Sequence, residues 1–162
     1  MKNILNKICE ENATDQFYVD NDISVTYTDF NNLLIECSEQ LALHDVTTSA
    51  TVVVKGDFAI HSIVVLIALV ANGNIIIPHT VASYAKLKDE SDLLEPDFLI
   101  DGTQYPFVCS KFGDSRKSCL AGCFTPGERG LVVFTSGSTG RPKAIVHKID
   151  PLLEKFAARE NK

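Results

Sequence analysis

Hydroxyl groups, glycines and basic side chains are concentrated in one short segment near the end of the chain, Phe134-Thr135-Ser136-Gly137-Ser138-Thr139-Gly140-Arg141-Pro142-Lys143. Glycine allows the backbone to bend until several N–H groups converge on one point, and a lysine adds a full positive charge beside them. Such a set of donors suits an anion with several oxygen atoms. The sequence therefore predicts a phosphate-binding loop whose ligands are Thr135, Ser136, Gly137, Ser138, Thr139, Gly140 and Lys143.

The residues on either side of this loop predict two strands. Residues 131–134 and 144–146 are both short apolar runs rich in β-branched side chains. The arrangement differs from a Walker A loop, in which glycine precedes the lysine and a helix follows, because here Pro142 precedes Lys143. The GxGxxG pattern of dinucleotide sites is also missing from the sequence. On composition alone, a flexible hairpin connection is an equally good interpretation of the loop.

Residues 131–143 resemble the phosphate-loop signature of the adenylate-forming superfamily, which comprises acyl-CoA synthetases, carrier-protein-loading adenylation domains and luciferases. In that family an apolar strand precedes Thr-Ser-Gly-Ser/Thr-Thr-Gly-x-Pro-Lys, and glycine usually follows where this chain has Ala144. The resemblance favours the phosphate-binding interpretation over the flexible connection.

Two further segments resemble core motifs of the same family, in the expected order. Residues 25–30 resemble the first motif, with Asp29 and Phe30 where Glu and Leu are usual. Residues 69–78 resemble the second motif, in which a helix ends at Ala-Gly and a strand runs into proline. Asn72 is inserted between that alanine and glycine, and His79-Thr80 replaces the usual Leu-Asp type of ending.

The resemblance implies carboxylate activation, in which the acid attacks the α-phosphorus of ATP, pyrophosphate leaves, and the acyl group passes to coenzyme A or a carrier protein. Hydroxyls of the loop and the N–H groups of Gly137 and Gly140 would donate to the β- and γ-phosphates. Lys143 would neutralise the departing pyrophosphate. Mg²⁺ is the expected partner cation, although these residues contain no set of metal ligands. No catalytic residue is predicted within the chain.

The length of 162 residues suits one domain but is far short of a complete ligase of this family. We therefore expect residues 1–162 to form a single N-terminal subdomain, inactive in isolation, that lacks the C-terminal part of the family fold. Such a fragment would expose apolar faces and a sheet edge. Self-association or a complementing C-terminal polypeptide is then expected. The alternative is a non-catalytic docking module, or half of a split or degenerate enzyme.

Composition excludes several other classes. The formal net charge of −6 gives no broad basic face for nucleic acid. The most apolar run, residues 63–71, is too short for a membrane span, which needs about 20 residues. The N-terminus does not read as a signal peptide. Because the five cysteines form no CxxC pair, we expect reduced thiols and a cytoplasmic location; they are Cys9, Cys37, Cys109, Cys119 and Cys123.

Alternating helical and strand patterns predict an α/β fold, a layered mixed sheet with flanking helices. Helices are predicted over residues 2–12, from an N-cap at Thr28 to residue 41, over 57–73 and 81–94, and from Asp150 with Pro151 at the first position to about 159. Strands are predicted at 17–19, 23–26, 52–54, 74–77, 97–101, 105–108, 131–134 and 144–146, with a turn at 20–22 and a loop over 109–130.

The remaining polar candidates receive no assigned chemistry. Arg141 is more consistent with solvent exposure than with a phosphate contact, and His147 with a structural role. His44, His61 and His79 form no cluster with carboxylates in the sequence, so no function is predicted for them.

Overall fold

The computed structural model describes residues 2–20, 23–92, 94–112, 120, 122–135 and 142–160. Five helices are described: α1 (Lys2–Glu11), α2 (Tyr27–Leu43), α3 (Ile60–Asn72), α4 (Val81–Asp92) and α5 (Ile149–Glu160). The described strands are β1 (Gln16–Asp20), β2 (Ile23–Thr26), β3 (Thr51–Lys55), β4 (Ile75–His79), β5 (Phe98–Asp101), β6 (Val108–Lys111), β7 (Gly130–Thr135) and β8 (Lys143–Lys148).

Six of the strands form one mixed sheet in the order β6-β5-β3-β4-β7-β8. The four inner strands are parallel, whereas β6 and β8 pair antiparallel at the two edges. Strands β1 and β2 form a separate antiparallel hairpin, as predicted, although part of its turn lies outside the described residues. The prediction of an α/β fold with a layered mixed sheet is confirmed.

The sheet is covered by helices on both faces, which explains why its central strands are apolar throughout. Helices α2 and α3 pack on one face, where the larger core contains Phe30, Leu34, Cys37, Leu41, Val52, Val54, Val64, Leu69, Ile76 and Ile100. Helix α4 lies on the opposite face through Tyr84, beside a smaller core of Val53, Ile75, Ile77, Leu120 and Val132. Four of the five residues of β3 are buried.

Helix α2 begins one residue after Thr26, so the predicted N-cap at Thr28 is wrong. The Thr26 hydroxyl accepts a hydrogen bond from the backbone N–H of Asp29, and the Asp29 carboxylate accepts one from the N–H of Thr26. These reciprocal bonds form a capping box, in which two unpaired donors of the first turn are satisfied together. The hydroxyl of Thr28 instead donates to the carbonyl oxygen of Ala13 at 2.8 Å.

Helix α3 begins at Ile60 rather than at the predicted Asp57. The Asp57 carboxylate is engaged elsewhere, because it accepts a hydrogen bond from the backbone N–H of Val81 at the start of α4. The end of α3 is as predicted, since Gly73 caps it at φ 88°, a left-handed conformation that glycine adopts without strain.

The strand predicted at 105–108 is wrong, because strand β6 runs from Val108 to Lys111. The proline at position 106 has no N–H to donate to a sheet. The predicted loop at 109–130 therefore starts after Lys111, and most of residues 113–121 lie outside the described residues. Helix α5 begins at Ile149, so Pro151 is its third residue rather than its first.

Two asparagines form a buried polar network where α3 turns into β4. Asn74 is fully buried, and its side-chain NH₂ donates to the carbonyl oxygens of Thr47 and Ala50 at 2.8 and 3.2 Å. Its side-chain oxygen accepts from Asn72, which also donates to the carbonyl of Val46. Asn72, the residue that departs from the family motif, therefore anchors the connection between α2 and β3.

Among the described helices, none is long and apolar enough to cross a membrane. Cys9, Cys37, Cys109 and Cys123 are free thiols, and Cys119 lies outside the described residues. Burial raises the pKa of the Cys37 thiol to about 12.

Thr26→Ala should lower the free energy of unfolding by about 1 kcal/mol, because the first turn of α2 loses its N-cap acceptor. Thr26→Ser keeps the hydroxyl and should stay close to wild type. Urea unfolding of both variants measures the difference. Equal losses in both variants would contradict the capping role of Thr26.

Asn74→Ala should cost about 2–3 kcal/mol of unfolding free energy, because it removes three hydrogen bonds of a fully buried side chain, two to the carbonyls of Thr47 and Ala50 and one from Asn72. Each of the two carbonyls keeps one backbone N–H donor. Asn74→Asp should cost more, since a carboxylate would face the same two carbonyls. The exposed Asn6 provides the control, and Asn6→Ala should change stability by no more than about 0.5 kcal/mol. Equal unfolding free energies for Asn74→Ala and Asn6→Ala, measured in denaturant, would refute the contribution of the asparagine network to stability.

Candidate functional site

Strands β7 and β8 form the hairpin that carries the predicted phosphate loop. Thr135 and Lys143 are cross-strand partners at its loop end, and residues 136–142 connect them. The Thr135 hydroxyl lies 3.5 Å from the backbone carbonyl oxygen of Lys143, and both residues are exposed. The two strands predicted on either side of the loop are confirmed, and the first and last predicted ligands lie side by side.

The predicted ligands between these two residues are Ser136, Gly137, Ser138, Thr139 and Gly140, and all five lie outside the described residues. Arg141 does as well. Their proposed contacts with phosphate therefore stay predictions. The described part of the site is the pair of strand ends that holds the loop.

The loop end of the hairpin lies at the carboxyl edge of the parallel strands. Strand β7 runs parallel to β4, which in turn neighbours β3, and β3 neighbours β5. Lys55, His79, Asp101 and Thr135 are the last residues of these four strands. Open α/β sheets bind ligands at this edge, because the loops that follow parallel strands meet there. The topology therefore places the predicted loop where a ligand site is expected.

His79 lies directly beside the strand that leads into the loop. Its ring stacks on that of Phe134, with centroids 5.6 Å apart and an interplanar angle of 21°, and is tilted against Tyr84 at 5.9 Å. Only 4% of His79 is exposed, and burial lowers the pKa of its imidazole. The side chain is therefore a neutral, packed support for the end of β7.

The sequence alone predicts no role for His79, although its position just after Pro78 contains a usable signal. A residue that ends a parallel strand lies at the ligand edge of the sheet. The missing information is that β4 and β7, which are far apart in the chain, are neighbours.

Lys55 and Asp101 form an ion pair at the same edge. The Lys55 Nζ lies 2.7 Å from the Asp101 carboxylate, and about a quarter of each side chain is exposed. Burial opposes ionisation of Asp101, but hydrogen bonds from Lys55 and Thr103 outweigh it and lower the pKa of the carboxyl group. The pair joins the ends of β3 and β5 and balances the charge of Lys55. Lys143, in contrast, is exposed at the loop end of the hairpin.

Two ion pairs hold the opposite end of the hairpin. Lys148 Nζ lies 2.7 Å from the Glu128 carboxylate, and Arg129 donates to Asp150 at 2.9 Å. Glu128 also accepts from the backbone N–H of Thr125 at 2.7 Å. These contacts tie the segment before β7 to the end of β8 and the start of α5, and so hold the base of the hairpin.

The other histidines lie away from the loop end. His147 is exposed on β8 opposite Leu131, towards the base of the hairpin. His61 stacks on Tyr105 at 5.3 Å, and His44 is tilted against Phe107 at 6.0 Å. The described residues contain no group of three or more His, Cys, Asp or Glu side chains that could hold a metal ion.

Glu128 should make the stability of the chain depend on pH in the acidic range. Hydrogen bonds from Lys148 and Thr125 lower its pKa from 4.5 to about 2. A carboxyl group whose pKa is depressed on folding stabilises the fold above its unfolded pKa, and that stabilisation is lost as the pH falls towards its folded pKa. The melting temperature of wild type should therefore be higher than that of Glu128→Gln at pH 6. The difference between the two melting temperatures should disappear as the pH falls from about 4.5 to about 2.

Thermal melts of both proteins across this pH range measure the gap. Glu154, exposed on α5, is the matched control, and Glu154→Gln should follow wild type. A gap between wild type and Glu128→Gln that stays constant down to pH 2 would contradict the ion pair.

Comparisons with known proteins give structural matches alone. No protein-family model matches the chain, and no curated protein matches its sequence. The N-terminal subdomain of Klebsiella oxytoca NpsA matches with a TM-score of 0.67 and 16% identity, over 89% of this chain and 40% of that one. An artificially fused adenylation–PCP di-domain from the same organism, NpsA-ThdA, matches with a TM-score of 0.66 and 15% identity. The match covers 89% of this chain and 31% of that one.

A third match is O-succinylbenzoate coenzyme A synthetase, MenE, from Bacillus subtilis in complex with AMP. Its TM-score is 0.58 and its identity 15%, over 87% of this chain and 40% of that one. The chain thus spans about two fifths of the length of the NpsA subdomain and of MenE. At these identities the matches show the fold. The chain has the fold of the N-terminal subdomains of adenylate-forming enzymes, with the β7–β8 hairpin at the carboxyl edge of its sheet.

Proposed function

We propose that this chain is the N-terminal portion of an ATP-dependent ligase that activates carboxylic acids, and that the β7–β8 hairpin binds the phosphates of ATP. One observation carries the proposal. The segment that resembles the family's phosphate loop connects two paired strands at the carboxyl edge of the sheet, in a fold that matches adenylate-forming enzymes.

The proposed reaction forms a bond between a carboxylate oxygen and the α-phosphorus of ATP and breaks the bond from that phosphorus to the bridging oxygen. Pyrophosphate leaves with the electron pair of the broken bond, and an acyl-adenylate remains. A thiol then takes the acyl group and AMP departs. MenE is a coenzyme A synthetase and NpsA-ThdA is an adenylation–PCP fusion, so either kind of thiol is consistent with this fold.

The residues of this chain would position phosphate and balance its charge rather than react. The exposed Lys143 ammonium would stabilise the leaving pyrophosphate, whose charge increases as the bond breaks. The Thr135 hydroxyl, beside Lys143 at the strand end, would donate to a phosphate oxygen once it turns from the Lys143 carbonyl. The neighbouring loop residues would add further donors. Mg²⁺, where bound, would neutralise charge on the phosphates themselves.

We propose further that residues 1–162 form a single N-terminal subdomain that does not turn over alone. The support is the coverage, since the chain matches about two fifths of the NpsA subdomain. The remaining part of the fold, in a longer or a second polypeptide, would complete the site. The alternative function is that of a non-catalytic docking module, which has the same fold but does not catalyse the reaction. We place the protein in the cytoplasm, as its sequence predicts.

Binding of phosphate by the chain itself tests the proposal without catalysis. In an NMR titration with pyrophosphate and Mg²⁺, the amide signals of Thr135 and Lys143 should shift in a saturable manner. Lys143→Ala should weaken this binding by at least about tenfold, because a charged contact is lost. Lys155, exposed on α5, is the matched control. Shifts that are absent, or equal in Lys143→Ala and Lys155→Ala, would refute the phosphate site.

ATP–pyrophosphate exchange with a panel of carboxylic acids tests the catalytic part of the proposal. The isolated chain should show no exchange, and addition of a C-terminal polypeptide that completes the fold should produce it. In the completed enzyme, Lys143→Ala should lower kcat/KM for ATP by about 10²-fold or more. Exchange by the isolated chain would refute the fragment interpretation, and phosphate binding with no exchange from any completed form would favour the docking module.

A further inference from the structure

The backbone ladder between β4 and β7 covers only the first part of each strand. Ile75 pairs with Gly130 and Ile76 with Leu131, and within the described residues no further pair of these two strands follows. Strand β4 nevertheless pairs with β3 over its whole length, and β7 pairs with β8 over its whole length. The two inner strands therefore lose their mutual backbone pairing before they reach the carboxyl edge, where the predicted phosphate loop begins.

Pro78 explains why the ladder ends. The carbonyl oxygen of Asn74, just before β4, accepts a hydrogen bond from the N–H of Gly130 on β7. The carbonyl oxygen of His79 accepts one from the N–H of Gly56, which follows β3. Successive residues of a central strand direct their peptide groups to opposite neighbours, so Pro78 faces β7, as Asn74 does. Because proline has no N–H, the next hydrogen bond of the ladder cannot form.

The rings of His79 and Phe134 meet where the ladder would have continued. Counted on from the pair of Ile76 and Leu131, these two residues lie level with each other. Their rings stack with centroids 5.6 Å apart and an interplanar angle of 21°. Phe134 directly precedes Thr135, the first predicted ligand. A side-chain contact thus joins β4 to β7 at the point where β7 leads into the loop.

The backbone and the ring of His79 are themselves held in place. Its carbonyl oxygen accepts the hydrogen bond from Gly56 at 2.9 Å, and the hydroxyl of the next residue, Thr80, accepts one from the N–H of Ser83 at 3.1 Å. The Ser83 hydroxyl lies 3.4 Å from the His79 Nδ1, and the centroid of the Tyr84 ring lies 5.9 Å from that of His79. His79 is therefore a fixed point against which the end of β7 rests.

We propose that His79 is a positioning residue for the phosphate site: its ring replaces the missing backbone pairing between β4 and β7, and so fixes where Thr135 and the loop leave the sheet. The inference rests on the proposed function, because the loop that His79 positions is the proposed phosphate-binding loop. His79 itself would touch no phosphate. A ligand binds more tightly to groups that are already held in place, since less free energy is lost in ordering them. Removal of the ring should therefore weaken phosphate binding even where the fold is retained.

Pyrophosphate with Mg²⁺ is the probe, titrated into the whole chain and followed by NMR. His79→Ala should weaken pyrophosphate binding about fivefold, because one aromatic contact is lost. His79→Phe keeps a flat ring and should restore the affinity to within about twofold of wild type. His61→Ala is the matched control, since it removes a histidine ring that stacks on Tyr105 at 5.3 Å, away from the loop. The control should bind pyrophosphate as wild type does.

A double-mutant cycle tests whether His79 acts through Phe134. Phe134→Leu alone should weaken pyrophosphate binding by a similar factor, and the double variant should bind no more weakly than either single variant. If His79→Ala fails to fold, Phe134→Leu is compared with Phe134→Tyr, which keeps the ring and should bind as wild type does. Additive losses in the cycle, a loss in His79→Phe equal to that in His79→Ala, or an equal loss in His61→Ala would each overturn the inference.

Hydrogen exchange without any ligand separates this inference from the proposed function. In His79→Ala the amides of residues 133–135 should exchange about fivefold faster, because the end of β7 opens more easily, whereas those of residues 130–132 should keep the wild-type rate. If the wild type binds no pyrophosphate, the proposed function fails, and the exchange rates still decide whether His79 holds the end of β7. Unchanged exchange at residues 133–135 would overturn the inference whatever the titration shows.

Discussion

The parallel pairing of β3 with β4, buried beneath helices on both faces, is the constraint on which the rest of the structure depends. Because both strands are almost wholly inside, their polar residues can lie only at the two edges of the sheet. The amino edge holds the network of Asn72 and Asn74, and the carboxyl edge holds Lys55 and His79. Once β7 joins β4 in the same direction, the segment that follows β7 has to emerge at the carboxyl edge. The location of the candidate site is therefore a consequence of burying the sheet.

The two departures from the family's second motif have physical roles in this chain. Asn72 lengthens the end of α3 by one residue and contributes an amide that binds both Asn74 and the connection after α2. The amide N–H of Gly130, the first residue of β7, donates to the carbonyl of Asn74 at 3.1 Å, so this network also positions the start of the hairpin. His79 stacks on Phe134 near the other end of β7. Both departures thus act on β7, the strand that leads into the loop, one at each end.

The sequence predicts the elements of the fold well where apolar periodicity is strong, and their boundaries less well where a side chain acts at a distance. The buried run of β3 and the glycine stop of α3 follow from local pattern. The start of α3 does not, because the Asp57 carboxylate binds the N–H of Val81 in another element. The cap of α2 is misplaced by two residues because Thr26 and Thr28 are equally good caps by type, and only the reciprocal bond with Asp29 distinguishes them. At the candidate site, the two strands that carry Thr135 and Lys143 are predictable from local pattern, and the phosphate contacts of these residues stay predictions. The position of His79 beside Phe134 requires the neighbour relation of β4 and β7.

The β7–β8 hairpin has a base and a loop end, and the same pair of strands connects the two. Lys143 is both the last predicted ligand of the loop and the first residue of β8, and its backbone pairs with Thr135 across the hairpin. The ion pairs of Glu128 with Lys148 and of Arg129 with Asp150 hold the base, and His79 stacks on Phe134 next to Thr135. The backbone at the two strand ends is therefore held in place by contacts within the chain. A ligand that binds to groups already held in place loses less free energy to ordering them, so the packing of β7 and β8 would favour the phosphate binding proposed for the loop.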